Sequence, residues 1–93
     1  MYILIYHKIH KPGEFWERAR SSVADLPAHI KLHSILPNQD GTTATCLWEA
    51  PSIKDVRDFV THHVGELNEM ELFEVDMDKA PNNIRPPAER ADS

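Results

Sequence analysis

The chain carries a single cysteine, Cys46, in 93 residues. No internal disulfide can form, which fits a reducing compartment, and the paired-cysteine chemistry of small metallochaperones is excluded. No apolar run approaches the roughly 20 residues of a membrane-spanning helix. Met1 to Tyr6 (MYILIY) is too short for the apolar stretch of a secretory leader and has no basic segment before it. Basic residues are scarce as well: 10 Lys and Arg stand against 15 Asp and Glu, a net charge of −5. A nucleic-acid partner normally needs a basic face, so none is expected. These absences predict a cytoplasmic domain with no membrane and no nucleic-acid partner. The length allows one core and no second, and a domain of this size gains much from association.

What is present reads as alternating strands and helices around one junction. Ala44-Thr45-Cys46-Leu47-Trp48-Glu49 is strand-like and stops at Ala50-Pro51. A helix start follows, with Ser52 as cap and Asp55 where a capping box places its acid. Ile53, Val56, Phe59, Val60, His63 and Val64 then recur at helical spacing, so one stripe expects burial. Gly65 is expected to end this helix in a left-handed conformation.

Before that junction, Tyr2 to His10 has apolar residues on both faces, the mark of a central strand. Pro12 suits the first turn of a helix whose stripe is Phe15, Trp16, Ala19, Val23 and Leu26, ended by Pro27. His29 to Leu36 alternates as a half-buried strand, and Pro37-Asn38-Gln39-Asp40-Gly41 supplies turn chemistry for a hairpin. Met70 to Met77 alternates again. The order is β-α-β-β-α-β, which predicts an α+β, ferredoxin-like two-layer sandwich: a four-stranded antiparallel sheet with both helices on one face. The domain is expected over residues 1–78, with a Pro-rich tail over 79–93.

Such a sandwich leaves one sheet face without helices. Pairing apolar residues across the hairpin turns Ile30, Leu32 and Leu36 toward the helices with Cys46 and Trp48. Lys31, His33 and Ile35 then share the open face with Thr45, Leu47 and Glu49, and the same logic exposes Leu72, Glu74 and Asp76. A bulge would flip this register. His7 joins the face only if its parity agrees, and Ile3 and Ile5 accompany it. A solvated face does not require Leu47, Leu72 and Ile35, whereas a face covered by a second subunit does, so a homodimer is expected.

The six histidines form no local chelate. His7 and His10 fall on opposite faces of a strand, His29 and His33 stand ~13 Å apart, and His62 and His63 splay around a helix. A metal site has to be assembled across strands or subunits from His7, His33, Glu49 and Glu74. Imidazole with carboxylate suits nickel, zinc or iron. Without a metal, these four are hydrogen-bonded polar groups of the interior. Cys46, Trp48 and Trp16 read as core, since a cysteine nucleophile needs a base and exposure.

The element order, with Tyr6-His7-Lys8-Ile9-His10, Leu32-His33, CLWEA at 46–50 and FEVD at 73–76, resembles the dimeric α+β barrel superfamily. It is most similar to small uncharacterised bacterial members related to small nickel-binding proteins. The resemblance implies that two open faces close a barrel around a pocket lined by His7, His33, Glu49 and Glu74. It also implies a bound metal ion, nickel or zinc, or a small ligand, while other relatives run cofactor-independent oxygenation or isomerisation. RNA-binding domains share the element order, but their third strand offers exposed aromatics, glycines and a basic residue, and ATCLWE does not. Three functions stand open: a binding protein for a metal or small molecule, a cofactor-independent enzyme with His7 or His33 as base, and a structural subunit.

Overall fold

The computed structural model describes residues 1–79. In chain order these form β1 (Tyr2–Ile9), α1 (Pro12–Ser22), β2 (Lys31–Pro37), β3 (Thr43–Glu49), α2 (Ile53–Val64) and β4 (Asn68–Val75). Short 3-10 turns occupy Val23–Asp25, Gly65–Leu67 and Met77–Lys79. The strands make one antiparallel sheet in the order β2-β3-β1-β4. This is a small α+β fold compatible with the ferredoxin-like arrangement. The Pro-rich tail expected at 79–93 lies, from residue 80 onward, outside the described residues.

β1 runs between β3 and β4, and its helix-side residues form the middle of the core. Ile3, Ile5, His7 and Ile9 turn toward the helices and are buried, Ile3 and Ile5 completely. They join Ala44, Cys46 and Trp48 of β3, Phe15 of α1, and Val56, Val60 and Val64 of α2 in one core. Each fully buried side chain of the Val or Ile type contributes roughly 1.5–3 kcal/mol. α2 starts as its cap predicts: Ser52 Oγ accepts from the Asp55 backbone N–H at 3.2 Å and donates to Asp55 Oδ2 at 2.9 Å. α1 has no side-chain cap. Lys11 enters it in the left-handed region (φ 50°), and Pro12 opens the first turn.

Several local expectations change. β2 starts at Lys31 and β4 at Asn68, because the residues after α2 tighten into a 3-10 turn that delivers the chain straight to the sheet edge. Gly65 is right-handed (φ −54°) and caps α2 through its N–H to the Thr61 carbonyl. Val23 is 48% exposed, since α1 ends at Ser22 and the stripe loses its helical phase there.

The larger correction concerns which face each strand presents. A bulge sets His33 and Ser34 together against Leu47, after which Ile35 pairs with Cys46 and Leu36 with Thr45. Ile35 therefore turns to the helix side and Leu36 to the open face, the reverse of strict alternation. On β4, Leu72 pairs with Ile5 and Glu74 with Ile3, so both take the helix side. Phe73 and Val75 are the open-face residues. The open face holds Tyr2, Leu4, Tyr6, Leu47, Phe73, Val75 and Leu36, with Leu36 64% and Phe73 48% exposed.

The hairpin between β2 and β3 is fastened to α1 at Gly41. This residue has φ +76°, its carbonyl accepts from Trp16 Nε1–H at 2.9 Å, and a Cβ there would stand 3.0 Å from that nitrogen. Gly41→Ala should therefore lower stability by about 1–2 kcal/mol through the left-handed backbone alone, with further loss from displacing Trp16. Gly13→Ala, where nothing lies within 4 Å, should instead be neutral or stabilising by up to about 1 kcal/mol. Urea unfolding of the two variants measures the contrast.

Candidate functional site

The four residues expected to line one pocket divide between the two faces of the sheet. His33 and Glu49 meet on the open face, with His33 Nε2 2.9 Å from Glu49 Oε1. Lys31 pairs with Glu49, so alternation along β2 puts His33 on the side that Glu49 occupies. Tyr2 packs beside this imidazole, ring centres 5.5 Å apart. The His33 hydrogen bond, aided by nearby Lys31, holds the Glu49 carboxyl below its ordinary pKa. His7 lies on the other side, buried among the helices at 3% exposure. Glu74 shares the helix-side parity and is exposed on the edge strand.

A nickel or zinc centre takes three or four donors. Within one chain the open face supplies His33 and Glu49, and the sheet separates them from His7. Among the described residues no three His, Cys, Asp or Glu side chains converge. The residues present do not fit a metal centre inside one chain.

A second feature was not anticipated. Between the helices and the β2-β3-β1 part of the sheet lies a cavity lined by His7, Phe15, Trp16, Cys46, Trp48 and Phe59, among others. The cavity volume is ≈ 40 Å³. Ile35 and His63, which keep some exposure, lie at its opening. Aromatic contacts build its walls. Phe15 sits 5.6 Å from His7 and 5.1 Å from Trp16, while Phe59 sits 6.1 Å from Trp48 and 4.6 Å from His63, centre to centre.

Two of the lining residues, His7 and Trp48, carry polar groups. Trp48 is 6% exposed, and its Nε1–H is buried with no hydrogen-bond partner among the described residues. An unpaired buried donor costs about 1–3 kcal/mol. His7 is held by Asn68, whose Oδ1 lies 2.7 Å from His7 Nδ1, and Asn68 Nδ2 donates to the Val64 carbonyl at 2.7 Å. This relay ties β1 to β4 and to the last turn of α2. Burial lowers the His7 pKa, and the Asn68 hydrogen bond offsets part of that. Burial also pushes the Cys46 thiol up to about 12.

Sequence reasoning assigned Trp48 to the core and passed over Asn68. The indole N–H was the only signal for the first, and an Asn directly after a helix end was a weak one for the second. Comparison with known proteins finds no matching family model, no matching curated protein and no matching solved structure.

Two measurements follow from the buried groups. Cys46 should resist thiol reagents at about pH 8 and react fully in denaturant, because the thiolate is the nucleophile; rapid labelling of the folded protein would contradict its burial. His7 is depressed when folded, so the unfolded chain binds the extra proton. Its contribution is present above about pH 6.5 and is lost as pH falls through the folded value. His7→Gln should therefore flatten the loss of stability between about pH 7 and about pH 5. An unchanged slope would mean that His7 is freely protonated in the fold.

Proposed function

We propose that this chain is a binding protein for a small organic molecule, working as a homodimeric α+β barrel. The observation that carries the reading is the aromatic-walled cavity under the helices, lined by His7 among apolar side chains. Ligand sites are largely apolar concavities with few convergent polar groups, and this one has that composition. A small molecule is favoured over a metal ion because, among the described residues, no three His, Cys, Asp or Glu side chains converge.

The second copy is assigned to the open sheet face. Tyr2, Leu4, Tyr6, Leu47 and Phe73 form an apolar field across β1, β3 and β4, and no helix covers it. Lys8 and Lys31 at its edges are complemented by Glu69, Glu71 and Glu49. A two-fold dimer uses the same patch on both partners, which suits a face carrying both charge signs around an apolar middle. The His33–Glu49 pair would then lie inside the barrel as a buried ion pair.

Enzymatic action, an oxygenase or isomerase with His7 as base, rests on the same cavity. The two are separated by whether the bound molecule is released chemically changed.

Native mass spectrometry of tag-free protein tests the reading. The expected species is twice the 10.7 kDa chain mass, with a small organic molecule retained per copy or taken up from a fragment mixture. Leu47→Glu should yield a folded monomer, since a charge at the centre of the face has no partner. A wild-type monomer at micromolar concentration would overturn the dimer. A protein that takes up no organic fragment would overturn the ligand.

A further inference from the structure

The face assigned to the second copy carries a polar pair beside its apolar field, and that pair is not electrically neutral. His33 Nε2 stands 2.9 Å from Glu49 Oε1, and the Tyr2 ring packs 5.5 Å from the imidazole. Both side chains are a little more than one-third exposed. The His33 hydrogen bond, more than Lys31 or the Met1 amine, holds the Glu49 carboxyl below its ordinary pKa. Glu49 is therefore ionised at neutral pH. With a neutral imidazole beside it, the pair carries one negative charge.

In the single chain that charge is solvated and costs little. Under a second sheet it does not stay so, because a buried charge without a counter-charge is strongly unfavourable. One added proton per pair cancels it, whether the imidazole holds that proton as half of an ion pair or the carboxyl does. An imidazole ordinarily titrates at about pH 6.5, so the proton is available close to neutrality. Lys31 sits across from Glu49 on the edge strand, but it is exposed and acts on the carboxylate more weakly than His33. The other charged groups of this face stand toward the opposite end of β1: Lys8, Glu71 and Glu69, with His10 Nε2 3.2 Å from Glu69 Oε2. His10 and Glu69 are both more than half exposed, a rim pair that keeps its water.

We infer that the homodimer is proton-linked: closing the open faces adds one proton to each His33–Glu49 pair, so association is tight in mild acid and weakens as pH rises. This rests on the reading of the open face as the dimer interface. The enclosed pair binds its proton more tightly than the solvated one. Its contribution is therefore fully present below about pH 6.5 and is lost as pH rises through the dimer's higher value. Two protons enter each dimer, so the dissociation constant changes by at most about a hundredfold per pH unit.

Fluorescence-detected sedimentation from about 0.1 nM to about 100 µM tests it, a span that covers weak and tight dimers alike. The dye is placed at Glu17→Cys, exposed on α1 and away from the open face, while Cys46 is buried. The dissociation constant should be at least about tenfold higher at about pH 8.5 than at about pH 6.5. Glu49→Gln removes the charge, so it should lose the pH dependence and dimerise more tightly than wild type at about pH 8.5. His33→Gln keeps the charge without the imidazole, so it should dimerise weakly at both values. His10→Gln should keep the wild-type dependence. Amide spectra check that each variant is folded. A wild-type dimer with the same dissociation constant at both values overturns the proton link and leaves the dimer standing. So does a pH dependence that survives in both Glu49→Gln and His33→Gln. A wild-type monomer at about 100 µM at both values, where even a weak dimer forms, overturns the dimer and the proton link together.

Discussion

A four-stranded sheet with helices on one side must bury one set of side chains and leave the other, and everything in this protein follows from which set β1 presents. Ile3 and Ile5 are wholly buried on the helix side, between β3 on one flank and β4 on the other. Because side chains alternate with period two, that single choice sends His7 into the interior. It sends Tyr2, Leu4 and Tyr6 to the face without helices. The apolar field on that face and the polar group under the helices are two consequences of one parity.

The interior has to accommodate an imidazole, an amide and an indole among aliphatic side chains. Two of the three are satisfied in series: His7 to Asn68, and Asn68 to the Val64 carbonyl at the end of α2. That relay makes the polar interior tolerable, and it fixes the imidazole's proton and its orientation. It links β1, β4 and α2, so the position of His7 depends on how the second helix ends. Trp48 has no such partner among the described residues, although its N–H is buried. Rings that meet edge to face, Phe15 with His7 and Trp16 and Phe59 with Trp48, line the cavity.

The open face behaves differently. His33 meets Glu49 there beside Tyr2, and the β2 bulge that follows turns Ile35 inward. Side chains there are half-buried or exposed, so the charges are solvated in the single chain, and neither needs the other for the chain to fold. Only enclosure by another surface would make that pair costly or useful.

The element order, the Ser52 cap, the buried stripe of α2 and the central place of β1 were all legible in the sequence, because local periodicity and capping chemistry determine them. So was the shared face of His33 and Glu49, which alternation along β2 and β3 implies; their hydrogen bond was not. The faces of Ile35, Leu36, Leu72 and Glu74 were not legible, since one extra residue at His33 reverses parity along β2 and the register of β4 against β1 is set by pairing that no local pattern records. The side of the sheet that His7 takes was left open, because Tyr2 to His10 is apolar on both faces. Tertiary structure decided these points, and it alone created the cavity. Whether Trp48 finds an acceptor depends on what the helices place opposite it, and no local pattern records the far wall of a space that two helices and three strands enclose together.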